Sequence, residues 1–116
     1  MSFPFPGSRN PFILTAWIVI HIISSTRLTW DETKRQATLR DRGLDYADAE
    51  TVFAGPVFEF EDVRRDYGER RMVCCGLLAG RMVVVGYVQR GEESRHVFTM
   101  RKANEREIEK YRERLG

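Results

Sequence analysis

Histidine and cysteine are scarce in this chain of 116 residues, with two of each. His21 and His96 lie far apart and far from the cysteines, so no zinc-type ligand spacing exists and no metal or other cofactor is expected. The cysteines are neighbours, Cys74 and Cys75, inside an apolar run that reads as a strand. Adjacent strand residues point to opposite faces, which disfavours a bond between them and excludes a disulfide framework. A reducing, cytoplasmic setting fits. Proline is thin as well: three of the four, Pro4, Pro6 and Pro11, fall in the first eleven residues. No apolar stretch reaches the roughly 20 residues of a membrane helix. Phe12–Ile23 comes nearest with twelve, so no membrane association is expected. Nineteen basic and seventeen acidic residues give a formal net charge of +2. No strong global field follows, and a nucleic acid would have to be met by a local patch.

What charge there is sits in one part of the chain. Arg9 is the single Asp, Glu, Lys or Arg before Arg27. Residues 1–26 therefore read as an apolar N-terminal extension outside the functional domain, and residues 27–116 as one small domain with one modest core. An added packed element or a targeting segment are the other readings of the extension.

Within the body, Arg27 to Trp30 reads as a short strand. Asp31 is placed to cap a helix running to about Arg42, with Gly43 at its C′ position. Asp45 and Asp48 have the spacing of a capping-box variant, followed by Tyr46, Ala49 and Phe53 on one helical face. Gly55-Pro56 ends that helix. Val57 to Phe60, Met72 to Leu78, Met82 to Val88 and His96 to Met100 read as four strands joined by turns. Met82 to Val88 is apolar throughout, which predicts a central strand buried on both faces. Asn104 and Glu107 form a capping box for a last helix with Ile108, Tyr111 and Leu115 along its apolar stripe. The expected fold is α+β: a four-stranded antiparallel meander plus a short N-terminal strand, two N-terminal helices and one C-terminal helix.

Four segments in this order resemble the BrnT family, the toxins of bacterial type II toxin–antitoxin pairs. Leu28 to Arg35, LTWDETKR, is similar to that family's W-D-x-x-K opening. Gly43, Tyr46, Ala49 and Phe53 resemble its second helix. Arg71 to Gly76, RMVCCG, resembles its R-x-V-x-x-G strand. Arg101-Lys102-Ala103 with Glu107 and Tyr111 resembles its closing S-A-R-K-A-x-x-x-E-x-x-x-Y. The resemblance spans about residues 27–115. It implies a RelE/ParE-like fold and a metal-independent ribonuclease that arrests translation. It implies neutralisation by a ribbon-helix-helix antitoxin, contact with operator DNA only through that antitoxin, and room for a homodimer within the complex. The end of the first helix departs from the family's N-x-x-K-H-G: Thr38, Asp41 and Arg42 stand in place of the Asn, Lys and His. The alternative implied by that departure is a catalytically weakened binding module, an antitoxin partner and co-repressor.

Metal-free RNA cleavage needs a base for the 2′-hydroxyl, cations for the charged transition state and an acid for the leaving oxygen. The candidate catalytic residues are Arg101 as phosphate clamp, Glu107 as base, Arg71 at a strand start and Tyr111. Each has a plainer reading: Arg101 pairs with Glu107, Glu107 closes the Asn104 cap, Arg71 is a solvated strand end, and Tyr111 belongs to the core. The candidate RNA-binding residues are Lys34, Arg42, Arg64, Arg65 and Lys102. Arg64 and Arg65 flank Tyr67, a pairing of cation and aromatic that suits RNA backbone and base. His96 reads as a packing or surface residue.

Overall fold

The computed structural model describes residues 27–115. Both the extension at residues 1–26 and its apolar run Phe12–Ile23 lie outside the described residues. The body begins with β1 (Arg27–Trp30) and α1 (Glu32–Arg42). Asp31 caps α1 by accepting from the Lys34 backbone N–H at 3.0 Å. Gly43 closes it at φ 69°, where a side chain would be strained, and donates to the Leu39 carbonyl.

The next segment starts more tightly than its sequence predicts. Asp45 caps a 3-10 turn, Tyr46–Asp48, through the Ala47 N–H at 2.9 Å. Asp48 closes that turn and makes no capping bond of its own to α2 (Ala49–Ala54). Three residues per turn shift the phase of the buried face. Tyr46, Ala49 and Val52 are buried, while Phe53 is half-buried against the same core.

The four remaining strands are β2 (Val57–Glu61), β3 (Arg71–Leu78), β4 (Arg81–Arg90) and β5 (Ser94–Lys102). They form the expected antiparallel meander. β1 joins it parallel to β5, which makes a five-stranded mixed sheet in the order β1-β5-β4-β3-β2. β4 is central and buried from Met82 to Val88. Asn104 opens α3 (Glu105–Tyr111) with both arms of the capping box made, and a 3-10 turn, Arg112–Leu115, follows.

Each face of the sheet carries its own core. On face A, α1, the Tyr46 turn and α2 cover Cys74, Val83, Val85, Tyr87, Val97 and Met100. On face B, α3 and the last turn cover Cys75, Met82 and Val84, with Phe58 and Phe60 alongside. Cys74 and Cys75 are thus free, buried and on opposite faces. Burial raises both thiols, to about 12 and about 11, so neither is a nucleophile at neutral pH.

β1 pairs with β5 only from Ser94 to Val97, which leaves the outer edge of β5 open beyond that point. Side chains close it. The Tyr46 hydroxyl donates to the Phe98 carbonyl at 3.2 Å, and Arg42 Nη1 donates to the Met100 carbonyl at 2.9 Å. Thr38 supports Tyr46 through a 3.1 Å hydroxyl contact. Among the described residues, no helix is long and apolar enough to cross a membrane.

Candidate functional site

α3 covers only part of face B. Strand alternation and register decide what occupies the rest. Arg71 of β3 pairs with Val88 of β4, and Val88 pairs with His96 of β5. Farther along, Val84 pairs with Arg101. Simple alternation would put His96 and Arg101 on opposite faces. A β-bulge prevents this: Gly86 pairs with Thr99 but Tyr87 pairs with Val97, and Phe98 is skipped. Phe98 and Thr99 therefore both turn to face B over Gly86. A Cβ on Gly86 would stand 2.5 Å from Thr99 Cγ2 and 3.0 Å from Phe98 Cζ, so the bulge needs a glycine beneath it.

Arg71 is held in a fixed pose on this face. Its guanidinium carbon lies 4.3 Å from the Tyr67 ring centroid and 4.7 Å from that of Phe98. Two aromatic faces around one planar cation hold it by cation–π attraction. Its Nε also donates to Glu69 at 3.1 Å.

Arg101 is held by an acid. Both of its terminal nitrogens donate to the Glu107 carboxylate at 2.7 Å each, a bidentate fork. Glu107 also accepts from the Asn104 N–H at 3.0 Å, while Asn104 accepts from the Glu107 N–H at 2.9 Å. These donors, Arg101 first, hold the Glu107 carboxyl down at about 2 and raise Arg101. Glu107 is thus bound on two sides, by Arg101 and by the cap of α3. A carboxylate so acidic and so fully engaged takes a proton poorly at neutral pH.

The other candidates separate. Tyr111 is buried, with its ring 5.2 Å from Phe58 and 6.0 Å from Phe60, so it belongs to the face B core rather than to the open surface. Arg42 is taken up by the Met100 carbonyl at the far edge of β5. Lys102 alternates away from Arg101 and pairs with Val83, whose side chain is in the face A core. Arg64 lies in the loop after β2, paired with Asp62 at 2.8 Å, and its charge reaches Arg101. Arg65 stands 5.8 Å from the Tyr67 ring, and Tyr67 donates to Asp62 at 2.9 Å, so this loop folds onto the same side as Arg71. Lys34 is exposed in the first turn of α1, and its charge is felt at His96.

The register also brings His96 and Phe98 to this face, neither of them a site candidate from the sequence. His96 is half-buried, and its Nδ1 lies 2.8 Å from the Thr29 hydroxyl of β1. Burial, then Arg90 and Lys34, push its pKa below the usual histidine value; Glu69 and Asp31 oppose them. Beyond α3, face B thus carries Arg71, Phe98, Thr99, Arg101 and His96, each half-buried. Two oriented guanidiniums beside an aromatic ring and a neutral imidazole can bind a phosphate, stack a base and accept a proton. Among the described residues, no cluster of three or more His, Cys, Asp or Glu is placed to hold a metal ion.

The sequence model of a family described as ribonuclease toxin, BrnT, of type II toxin–antitoxin system matches residues 30–107. Comparison with curated proteins gives no match. Among solved structures, the 1.1 Å crystal structure of the Brucella abortus ribonuclease toxin BrnT is similar at a TM-score of 0.52 and 30% sequence identity. The match covers 69% of this chain and 99% of that one.

Proposed function

The chain belongs to the BrnT family of ribonuclease toxins of type II toxin–antitoxin systems, and from that premise we propose that face B is where it cleaves RNA. Membership brings RNA as substrate and an antitoxin as partner. In this reading residues 27–116 are the functional domain, on a RelE/ParE-like plan, acting in the cytoplasm without a metal. Arg71 and Arg101 clamp the scissile phosphate and stabilise the charge that builds on it. Glu107 positions Arg101, while Phe98 and Tyr67 position Arg71. Arg64, Arg65 and Lys34 guide the RNA backbone from the rim. The antitoxin is of the ribbon-helix-helix class, operator DNA is met only through it, and two toxin copies share the complex.

The observation that carries this reading is the pair of oriented arginines on one sheet face. The test is cleavage of a single-stranded RNA by the purified full chain. Arg71→Ala and Arg101→Ala should each slow it about 10²–10³-fold, the loss typical of one transition-state donor, while the fold is kept. Wild-type rates in both folded variants would remove the site assignment.

One observation favours a second reading, a non-catalytic antitoxin partner and co-repressor. Thr38 and Arg42, two of the three residues that depart from the family pattern, are engaged in holding the edge of β5. Full-chain protein that binds its antitoxin but cleaves no RNA would establish that reading instead.

A further inference from the structure

The ribonuclease reading leaves the reaction without a base, because Glu107 is committed to Arg101 and Asn104. Resting on that reading, we propose that His96 is the general base, a catalytic residue whose Nε2 takes the 2′-hydroxyl proton, with Thr29 as its positioning residue.

Placement comes first. His96, Val88 and Arg71 form one row across β5, β4 and β3 on face B. Neighbouring strands are about 4.8 Å apart, so the backbones of His96 and Arg71 are separated by roughly 10 Å. The Arg71 guanidinium closes much of that gap by reaching Phe98 on β5, two residues beyond His96. A phosphate on Arg71 is then held over the strand that carries the imidazole.

Orientation comes next. Thr29 is the β1 register partner of His96, and its hydroxyl engages Nδ1 at 2.8 Å. With Nδ1–H donating to that hydroxyl, Nε2 carries the lone pair. Among the described residues, Nε2 has no hydrogen-bond partner. Four charged groups act on the ring: Arg90 of β4, Lys34 of α1 with its cap Asp31, and Glu69 from the loop before β3. Burial and the two cations outweigh the two acids, which keeps the ring neutral at pH 7.

The step balances without an added reagent. Nε2 removes the 2′-hydroxyl proton as O2′ bonds to phosphorus. The bond from phosphorus to O5′ breaks, and that oxygen takes a proton from water. The products are a 2′,3′-cyclic phosphate and a 5′-hydroxyl end.

The test follows cleavage of a short single-stranded RNA by the full chain across pH 4.5–8. Wild type should lose activity toward acid, with an apparent pKa below about 6.5. His96→Asn, whose amide can keep the Thr29 contact, should cleave about 10²–10⁴-fold more slowly and lose that acid limb, with RNA affinity unchanged. Thr29→Val should lower kcat more than it alters KM and move the limb. A folded His96→Asn chain that cleaves within a few-fold of wild type, or keeps the limb, overturns the proposal. Should His96→Asn not fold, the His96 ring is titrated by NMR in a His21→Asn chain, where it is the one imidazole. Agreement with the kinetic pKa supports the proposal, and disagreement overturns it. Loss of activity in Arg71→Ala and Arg101→Ala but not in His96→Asn would sink this inference alone. A wild-type chain that cleaves no RNA would sink the ribonuclease reading and His96 with it.

Discussion

Glu107→Gln tests the joint between α3 and β5. The carboxylate serves three donors: two on Arg101 and the Asn104 N–H. An amide has one acceptor oxygen, so at least one donor loses its partner and the bidentate charge pairing disappears. The Glu107 carboxyl is held at about 2 against an ordinary 4.5. At about 1.36 kcal/mol per pH unit this sets a ceiling of roughly 3 kcal/mol. The Arg101 side chain is 42% exposed, so water screens the pair and the expected loss at pH 7 is about 1–2 kcal/mol. The folded pKa is depressed, so this stability is fully present above about 4.5 and drains away as pH falls toward 2. Urea unfolding of both chains at steps from pH 7 to pH 2.5 should show Glu107→Gln less stable at neutral pH, with the gap closing below about 4.5. Thermal midpoints should differ by roughly 4–8 °C for each kcal/mol. Equal stability at pH 7, or a gap that stays constant down to pH 2.5, would refute the assignment of Glu107 as a charged anchor.

Other residues give sharper yes-or-no outcomes. Gly86→Ala puts a methyl 2.5 Å from Thr99 Cγ2; it should destabilise the fold by about 1–3 kcal/mol and slow RNA cleavage by displacing Phe98, as read by unfolding and rate together. Arg42→Ala removes the donor to the Met100 carbonyl; it should lower stability by about 1 kcal/mol and leave the cleavage rate of the folded protein unchanged, and a lost rate would return Arg42 to the site. Tyr111→Phe keeps the ring packed on Phe58 and Phe60; it should cleave RNA at the wild-type rate, and a large loss would show that the hydroxyl does chemistry.

Local signals were legible wherever one short segment decides its own conformation. Asp31, Gly43, Asn104 with Glu107, and the unbroken apolar run of β4 each specify a cap or a burial state through near neighbours. The parallel landing of β1 on β5 was not legible, because it depends on residues 67 positions apart, such as Thr29 and His96. The site suffered from a subtler gap. Strand alternation is reliable until one residue is inserted, and the bulge at Phe98 inverts it. Counting back from Arg101 by twos misses His96, so a residue central to the proposed chemistry read as incidental. Glu107 and Tyr111 stand out by pattern, but their partners do not: the fork to Arg101 and the packing on Phe58 and Phe60 join separate segments.

The closed edge of β5 bears on how this chain meets others. A bare strand edge is a template for an added strand, from a partner or from another copy, and is a common start of aggregation. Here Tyr46 and Arg42 occupy the Phe98 and Met100 carbonyls that such a strand would need. Association along that stretch by strand addition would first have to break both contacts. Saturating the flank of the strand that bears Arg101 keeps that flank from recruiting the wrong company.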